Sequence, residues 1–215
     1  MFPNNQPLLI GITGNIGSGK SSFCNMLESN GLRVISADTI AQQRLEDAAV
    51  IDALVNRYSS SILLKSGQSD KRKIDHKQLA NIVFNSYDET EYLNKLIHPL
   101  VLNDFAEAAA NCDDKYLAFE VPLLFEAGLT NCFDYLVLVM APLELRLQRI
   151  IAKGESKESA LLRMKHQIPD EDKLFMVDMA VDNSSNPTQL EVSAQALIAK
   201  LPQLNKKHTR PFTNC

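Results

Sequence analysis

Residues 8–22 read LLIGITGNIGSGKSS, and the rest of the chain makes sense around them. Residues 8–13 form a short apolar, partly β-branched run of the kind that makes a buried parallel strand. Gly14-Asn15-Ile16-Gly17-Ser18-Gly19-Lys20-Ser21 then satisfies G-x-x-x-x-G-K-[ST], the P-loop pattern. Beyond it, residues 22–30 carry Phe23, Met26 and Leu27 at helical spacing. The glycines let backbone N–H groups wrap a phosphate, and the following helix points its N-terminus at the same anion. Lys20 then reaches the β/γ-phosphates, and the Ser21 hydroxyl is a ligand for Mg²⁺. The candidate nucleotide contacts are therefore Gly14, Asn15, Ile16, Gly17, Ser18, Gly19, Lys20, Ser21 and Ser22. The competing reading is a chance glycine-rich turn, which the strand before and the helix after weigh against.

The chain has 215 residues, enough for one ordinary domain with a sizeable core and insertions. It is 45% hydrophobic and 22% charged, the balance of a soluble globular protein. A formal net charge of −4 speaks against a general nucleic-acid binder. Cys24, Cys112, Cys132 and Cys215 have neither metal-ligand nor C-x-x-C spacing, so they read as reduced, mostly buried thiols. The opening MFPNNQPLL lacks the charged and apolar regions of a signal peptide. No apolar run approaches the roughly 20 residues of a membrane span. These features predict a cytoplasmic protein with no membrane partner, a monomer or small homo-oligomer.

The strand–helix alternation continues from there. Residues 32–35 read as a second strand ending at Ser36-Ala37-Asp38. Functional groups of an open parallel sheet gather beyond the carboxyl ends of its strands, where Asp38 lies. Its carboxylate suits proton acceptance from an attacking hydroxyl, or a water-mediated hold on Mg²⁺; the alternative is an N-cap for a helix over 39–58. Lys71-Arg72-Lys73 is either a solvated face or a phosphate contact. Residues 75–111 read as a helical block inserted into the α/β pattern, with His98-Pro99 marking a kink or helix start. A further strand over 116–122 ends beside Glu120, either a Mg²⁺-side acid or an ordinary strand-end acid. Residues 134–140 form the most apolar strand. Residues 143–153, with Arg146, Arg149 and Lys153, and residues 157–167 are two helices joined at Gly154, a lid over phosphates or a solvated hairpin. A last strand over 175–181 precedes a helix over 190–201, and 205–215 reads as a polar, disordered end. The expected architecture is a P-loop three-layer α/β/α sandwich with a mostly parallel five-stranded sheet. No N-K-x-D base-reading motif accompanies the loop, so a small-molecule kinase fits better than a GTP switch.

Several segments carry a closer resemblance. GITGNIGSGKSS, VISADTIA, LIHPLV, FEVPLLFEAGL, RMKHQIPDEDKL and VDNSSN together resemble the dephospho-CoA kinase family over about residues 8–201. VPLLFE and DN are more specific than the P-loop itself. The resemblance implies ATP-dependent phosphorylation of the ribose 3′-hydroxyl of dephospho-CoA, giving coenzyme A and ADP with Mg²⁺. It implies a nucleotide-binding core (1–63, 111–150 and 169–203), a helical CoA-substrate subdomain (64–110), a lid (151–168) and a flexible tail (204–215). Asp38 matches the family's catalytic base. Lys20, Arg149 and Lys153 match residues that meet phosphates, and Asp38, His98, Glu120 and Leu123 fall in the acceptor-binding segments. Ser21 would hold Mg²⁺, with Asp38 or Glu120 acting through water. The chain departs from the family pattern in several places. Asn15 replaces a glycine, Ser36 an aspartate, Gln42 an arginine and His76 an arginine. Glu120 replaces an aspartate, and Lys153-Gly154 stands for Arg-Asp. Lys153 loses the planar fork that grips phosphate bidentately. Another P-loop nucleotide or metabolite kinase, and a catalytically degenerate ATP- or CoA-binding relative, are the alternatives.

Overall fold

A computed structural model describes residues 6–64, 72–83, 86–207 and 212. Lys71, Phe84, Cys215 and most of the tail lie outside the described residues. The chain is an α/β protein built on five parallel strands, β1 (Leu8–Thr13), β2 (Val34–Ser36), β3 (Tyr116–Glu120), β4 (Tyr135–Met140) and β5 (Met179–Asp182). Their order is β2-β3-β1-β4-β5, and every pairing is parallel. The chain leaves β1 towards β2 and β3 on one side and towards β4 and β5 on the other. β1 is therefore the switch point of the sheet, and its carboxyl end opens into the crevice where ligands bind.

The helices among the described residues are α1 (Lys20–Ser29), α2 (Ala37–Arg44), α3 (Ala48–Tyr58), α4 (His76–Val83), α5 (Tyr87–Ala110), α6 (Leu143–Ala152), α7 (Lys157–Met164), α8 (Asp170–Lys173) and α9 (Pro187–Lys200). None is long and apolar enough to cross a membrane.

The chain divides into two compact units. The first, residues 1–37 and 106–215, contains the sheet. Ile10 and Ile12 of β1, Val137 and Val139 of β4 and Val181 of β5 pack with Phe23 and Leu27 of α1 and with Leu190, Ala194 and Leu197 of α9. Each of the Ile, Val, Leu and Phe side chains contributes about 1.5–3 kcal/mol on full burial. β4 is buried from Tyr135 to Val139, as an apolar run covered on both faces should be. The second unit, residues 38–105, is helical. Its buried residues include Val50, Ile51, Leu54, Leu79, Val83, Ile97, Val101 and Phe105, and a bridge joins Leu63 to Ile74.

The structure changes several expectations. The helix expected over 39–58 is two helices, because the Asp47 backbone is extended before α3 and its carboxylate accepts from Arg44 Nη1 at 3.0 Å. Pro99 starts no helix: α5 runs through it. Lys95 and Pro99 are both exposed, so water can satisfy the carbonyl that proline leaves unbonded. β5 starts at Met179 rather than 175, since residues 174–176 form a 3₁₀ turn with Phe175 93% exposed. The end of the chain is not wholly polar and loose. The Lys207 amide donates to Asp134 Oδ1 at 2.7 Å, and Phe212 is buried between Phe119 and Phe133, with ring centroids 5.4 and 5.5 Å away. Cys24 and Cys112 are free and buried, but Cys132 is disulfide-bonded, which corrects the all-reduced reading. Burial raises the Cys24 thiol far above its ordinary range, so it stays protonated and inert.

Candidate active site

The P-loop joins the carboxyl end of β1 to α1, whose first residue is Lys20. Gly19 precedes it in a left-handed conformation, φ 94°, which turns the chain into the helix. The fold closes on this loop from three sides. A Cβ at Gly14 would lie 2.1 Å from Val139 O of β4, one at Gly17 2.7 Å from Arg146 O of α6, and one at Gly19 2.1 Å from Asn183 Nδ2. The glycines are thus needed for backbone approach as well as for rotation. Gly19→Ala is expected to cost at least about 1–3 kcal/mol of stability through left-handed strain, and more through displacement of Asn183. Urea denaturation checks this, and an unchanged midpoint would refute it.

Asn183 follows β5 and is 7% exposed. Its Nδ2 donates to Ser18 O at 2.8 Å. Arg149 of α6 braces the same backbone: Nη1 donates to Gly17 O and Ser18 O, each at 3.3 Å, and Nη2 donates to Asn183 O at 3.0 Å. The Arg149 fork therefore grips main-chain carbonyls of the loop, with its Nε–H not used in these bonds. Lys153 is the exposed C-cap of α6.

Lys20 is buried, and its ammonium donates to Gly14 O at 2.6 Å and Asn15 O at 3.4 Å. The Ser21 hydroxyl donates to Glu120 Oε1 at 2.8 Å. Glu120, at the end of β3, is in register with Ile12 of β1 and Ser36 of β2, and it is 7% exposed. The longer arm of glutamate still brings its carboxylate to the loop hydroxyl. Among the described residues no cluster of three or more His, Cys, Asp or Glu is arranged to hold a metal by itself. A hydroxyl beside one buried carboxylate nevertheless fits Mg²⁺, which takes few protein oxygens and completes its shell with substrate phosphates and water.

Beside the loop lies a cleft of about 630 Å³ lined by Asn15, Arg146, Leu161, Gln167 and Asp170, among others. Arg146 Nε and Asp170 Oδ1 are buried there with no hydrogen-bond partner among the described residues. Burial raises the Asp170 carboxyl, opposed by the Arg146 and Lys173 charges.

Asp38, His98 and Leu123 lie elsewhere along the chain. Leu123 is 40% exposed in the turn after β3. His98 is exposed on α5 in the helical unit. Asp38 is exposed in the first turn of α2, where that unit begins. Because α2 starts at Ala37, Asp38 lies inside the helix and is not its N-cap. Asn183, Glu126, Gln167 and Lys173 were not singled out as site residues, although the DN, VPLLFE and RMKHQIPDEDKL segments contain them. That grouping was the only signal available, because their partners are far away in sequence.

The sequence profile of the family described as dephospho-CoA kinase matches residues 8–189. A dephospho-CoA kinase of Fusobacterium nucleatum is 36% identical over 180 residues, covering 83% of this chain and 91% of that protein. Among solved structures, a Thermus thermophilus protein superposes with a TM-score of 0.76 at 32% identity, covering 91% of this chain and 98% of the other. A dephospho-CoA kinase from Campylobacter jejuni superposes with a TM-score of 0.66 at 29% identity, over 91% and 97% of the two chains.

Proposed function

The chain belongs to the dephospho-CoA kinase family, and from that premise we propose the following reaction and residue roles. The enzyme transfers the γ-phosphoryl group of ATP to the 3′-hydroxyl of the dephospho-CoA ribose, the final step of coenzyme A biosynthesis. The acceptor oxygen forms a bond to phosphorus as the bridging β,γ P–O bond breaks. ADP leaves, and the hydroxyl proton passes to a carboxylate.

The observation that carries the reading is the loop itself. A buried lysine and a hydroxyl–carboxylate pair sit together at the switch point of the sheet, 2.8 Å apart in the case of Ser21 and Glu120. Phosphoryl transfer requires little more than positioning and charge neutralisation. The loop amides and the α1 N-terminus bind the phosphates, and Lys20 turns from Gly14 O to the γ-phosphate as charge develops there. Ser21 and Glu120 would hold Mg²⁺, whose charge offsets that of the β/γ-oxygens. Arg149 keeps the Gly17–Ser18 backbone in its binding shape and has a remaining N–H for phosphate, while Lys153 contributes a mobile charge. Asp38 accepts the hydroxyl proton. The helical segment 64–110, with His98, binds the acceptor, aided by Glu120 and Leu123. Residues 151–168 act as a lid. A cytoplasmic location, as a monomer or small homo-oligomer, belongs to the same proposal.

The test is ADP release from Mg·ATP with dephospho-CoA offered beside AMP, CMP and adenosine. Turnover confined to dephospho-CoA is expected. Turnover with another acceptor would replace the substrate, and tight ATP binding with no acceptor phosphorylated would identify a binding protein.

A further inference from the structure

Asn15 stands where the family resemblance has glycine, and a glycine's backbone freedom does not explain it. Among the described residues only Ser59 is a non-glycine with positive φ. Asn15 is instead defined by its side chain, which is 3% exposed and bonded at both ends. Oδ1 accepts from Lys173 Nζ at 2.8 Å, and Nδ2 donates to Ile168 O at 3.1 Å.

These bonds belong to a closed ring. Lys173 is fully buried, and its ammonium pairs with Glu126 Oε1 at 3.0 Å. The Ile168 amide donates to that same oxygen at 2.9 Å. The circuit therefore runs Asn15–Lys173–Glu126–Ile168–Asn15. A parallel tie lies beside it, where the Ile16 amide donates to Gln167 Oε1 at 2.9 Å. The ring thus joins the P-loop to residues 167–173, which follow directly on α7.

The ring is also connected to Lys20, whose ammonium sits on Gly14 O and Asn15 O. When that ammonium swings to a phosphate, the Asn15 carbonyl loses its 3.4 Å contact and keeps the Ser18 amide at 3.0 Å, so the peptide carrying the Asn15 side chain can readjust about that remaining bond. Both polar ends of that side chain are already committed, so the shift passes to Lys173 and Ile168. A buried ammonium cannot leave its acceptors without a large desolvation cost. The linkage is therefore stiff.

We propose that Asn15, Glu126 and Lys173 are positioning residues that couple nucleotide occupancy of the P-loop to the lid, through the segment at its carboxyl end. The proposal rests on the kinase reading and on residues 151–168 being the lid. None of the three side chains needs to touch substrate.

The experiment compares wild type, Asn15→Gly and Lys173→Met in three measurements: calorimetric binding of a non-hydrolysable Mg·ATP analogue, hydrogen exchange of the α7 amides with and without it, and steady-state kinetics. In wild type the analogue should slow exchange in α7. Asn15→Gly removes only the side chain and leaves a backbone amide at that place in the loop, so the analogue should still bind. The protection of α7 in the analogue-bound state should fall, and kcat should drop roughly 3- to 30-fold. A variant that binds the analogue, protects α7 as wild type does and keeps its kcat would overturn the coupling. Should Lys173→Met fail to fold, Asn15→Gly still decides the matter. A wild-type chain that does not bind the analogue would overturn the kinase reading itself, and the coupling with it.

Discussion

Replacing Lys20 by alanine is expected to lower kcat by about 10³-fold or more, with the fold intact. The size follows from where the charge sits. Lys20 is 8% exposed at the start of α1, so its ammonium acts in a medium far less screening than water. The helix N-terminus adds favourable potential for the same anion. Two nearby cations are already largely committed. Arg149 Nη1 and Nη2 already serve Gly17 O, Ser18 O and Asn183 O, and the Lys173 ammonium is held by Asn15 and Glu126. The variant loses the donor to Gly14 O and Asn15 O, a net cost of about 1–3 kcal/mol. It should therefore melt somewhat earlier while keeping its sheet. Steady-state ADP release and thermal denaturation measure both effects. A folded variant retaining more than about a tenth of wild-type kcat would show that the phosphates are neutralised elsewhere.

What the sequence showed in advance, and what it did not, divides along the distance between partners. β1, the loop and β4 were legible because their signals are local, namely apolar runs and a spaced glycine motif in residues 8–21 and 134–140. The Ser21–Glu120 pair was half legible. Ser21 stood out as the hydroxyl that closes the loop motif and Glu120 as an acid at a strand end, but only the parallel register Ile12↔Glu120 brings them together. The Asn15 contacts were not legible, since Ile168 and Lys173 follow it by more than 150 residues and no periodicity links them. Arg149 was legible as a cation on the right helix face, while its grip on loop carbonyls depends on α6 packing against Gly17. Phe212 was hidden by its polar neighbours. A single apolar side chain in a basic tail gives no pattern, yet it fills the gap between Phe119 and Phe133. The early start assigned to β5 came from counting Phe175 as strand. The 3₁₀ turn after α8 leaves that ring in solvent instead.

Asp38→Asn carries the other large effect, an expected fall in kcat of about 10²–10⁴-fold with little change in ATP affinity. Asparagine keeps the shape and the position but cannot accept the proton. The loss should therefore fall on the chemical step, because the side chain contributes only in the transition state. Stability should barely move. Asp38 is exposed in the first turn of α2 and is not its cap, so its interaction with the helix dipole is worth about 0.3–1 kcal/mol. The same substitution separates the two chemical roles open to this carboxylate. A base that has lost its charge leaves the Mg²⁺ dependence of the residual activity unchanged. A carboxylate that held Mg²⁺ through water would shift that dependence to higher concentration, and the hold would then fall to Ser21 and Glu120, whose 2.8 Å contact does not involve Asp38. Titrating Mg²⁺ against the residual rate at saturating ATP and dephospho-CoA distinguishes them. An Asp38→Asn enzyme within about threefold of wild type at every Mg²⁺ concentration would remove Asp38 from the reaction, leaving Glu120 as the buried carboxylate already hydrogen-bonded to the loop.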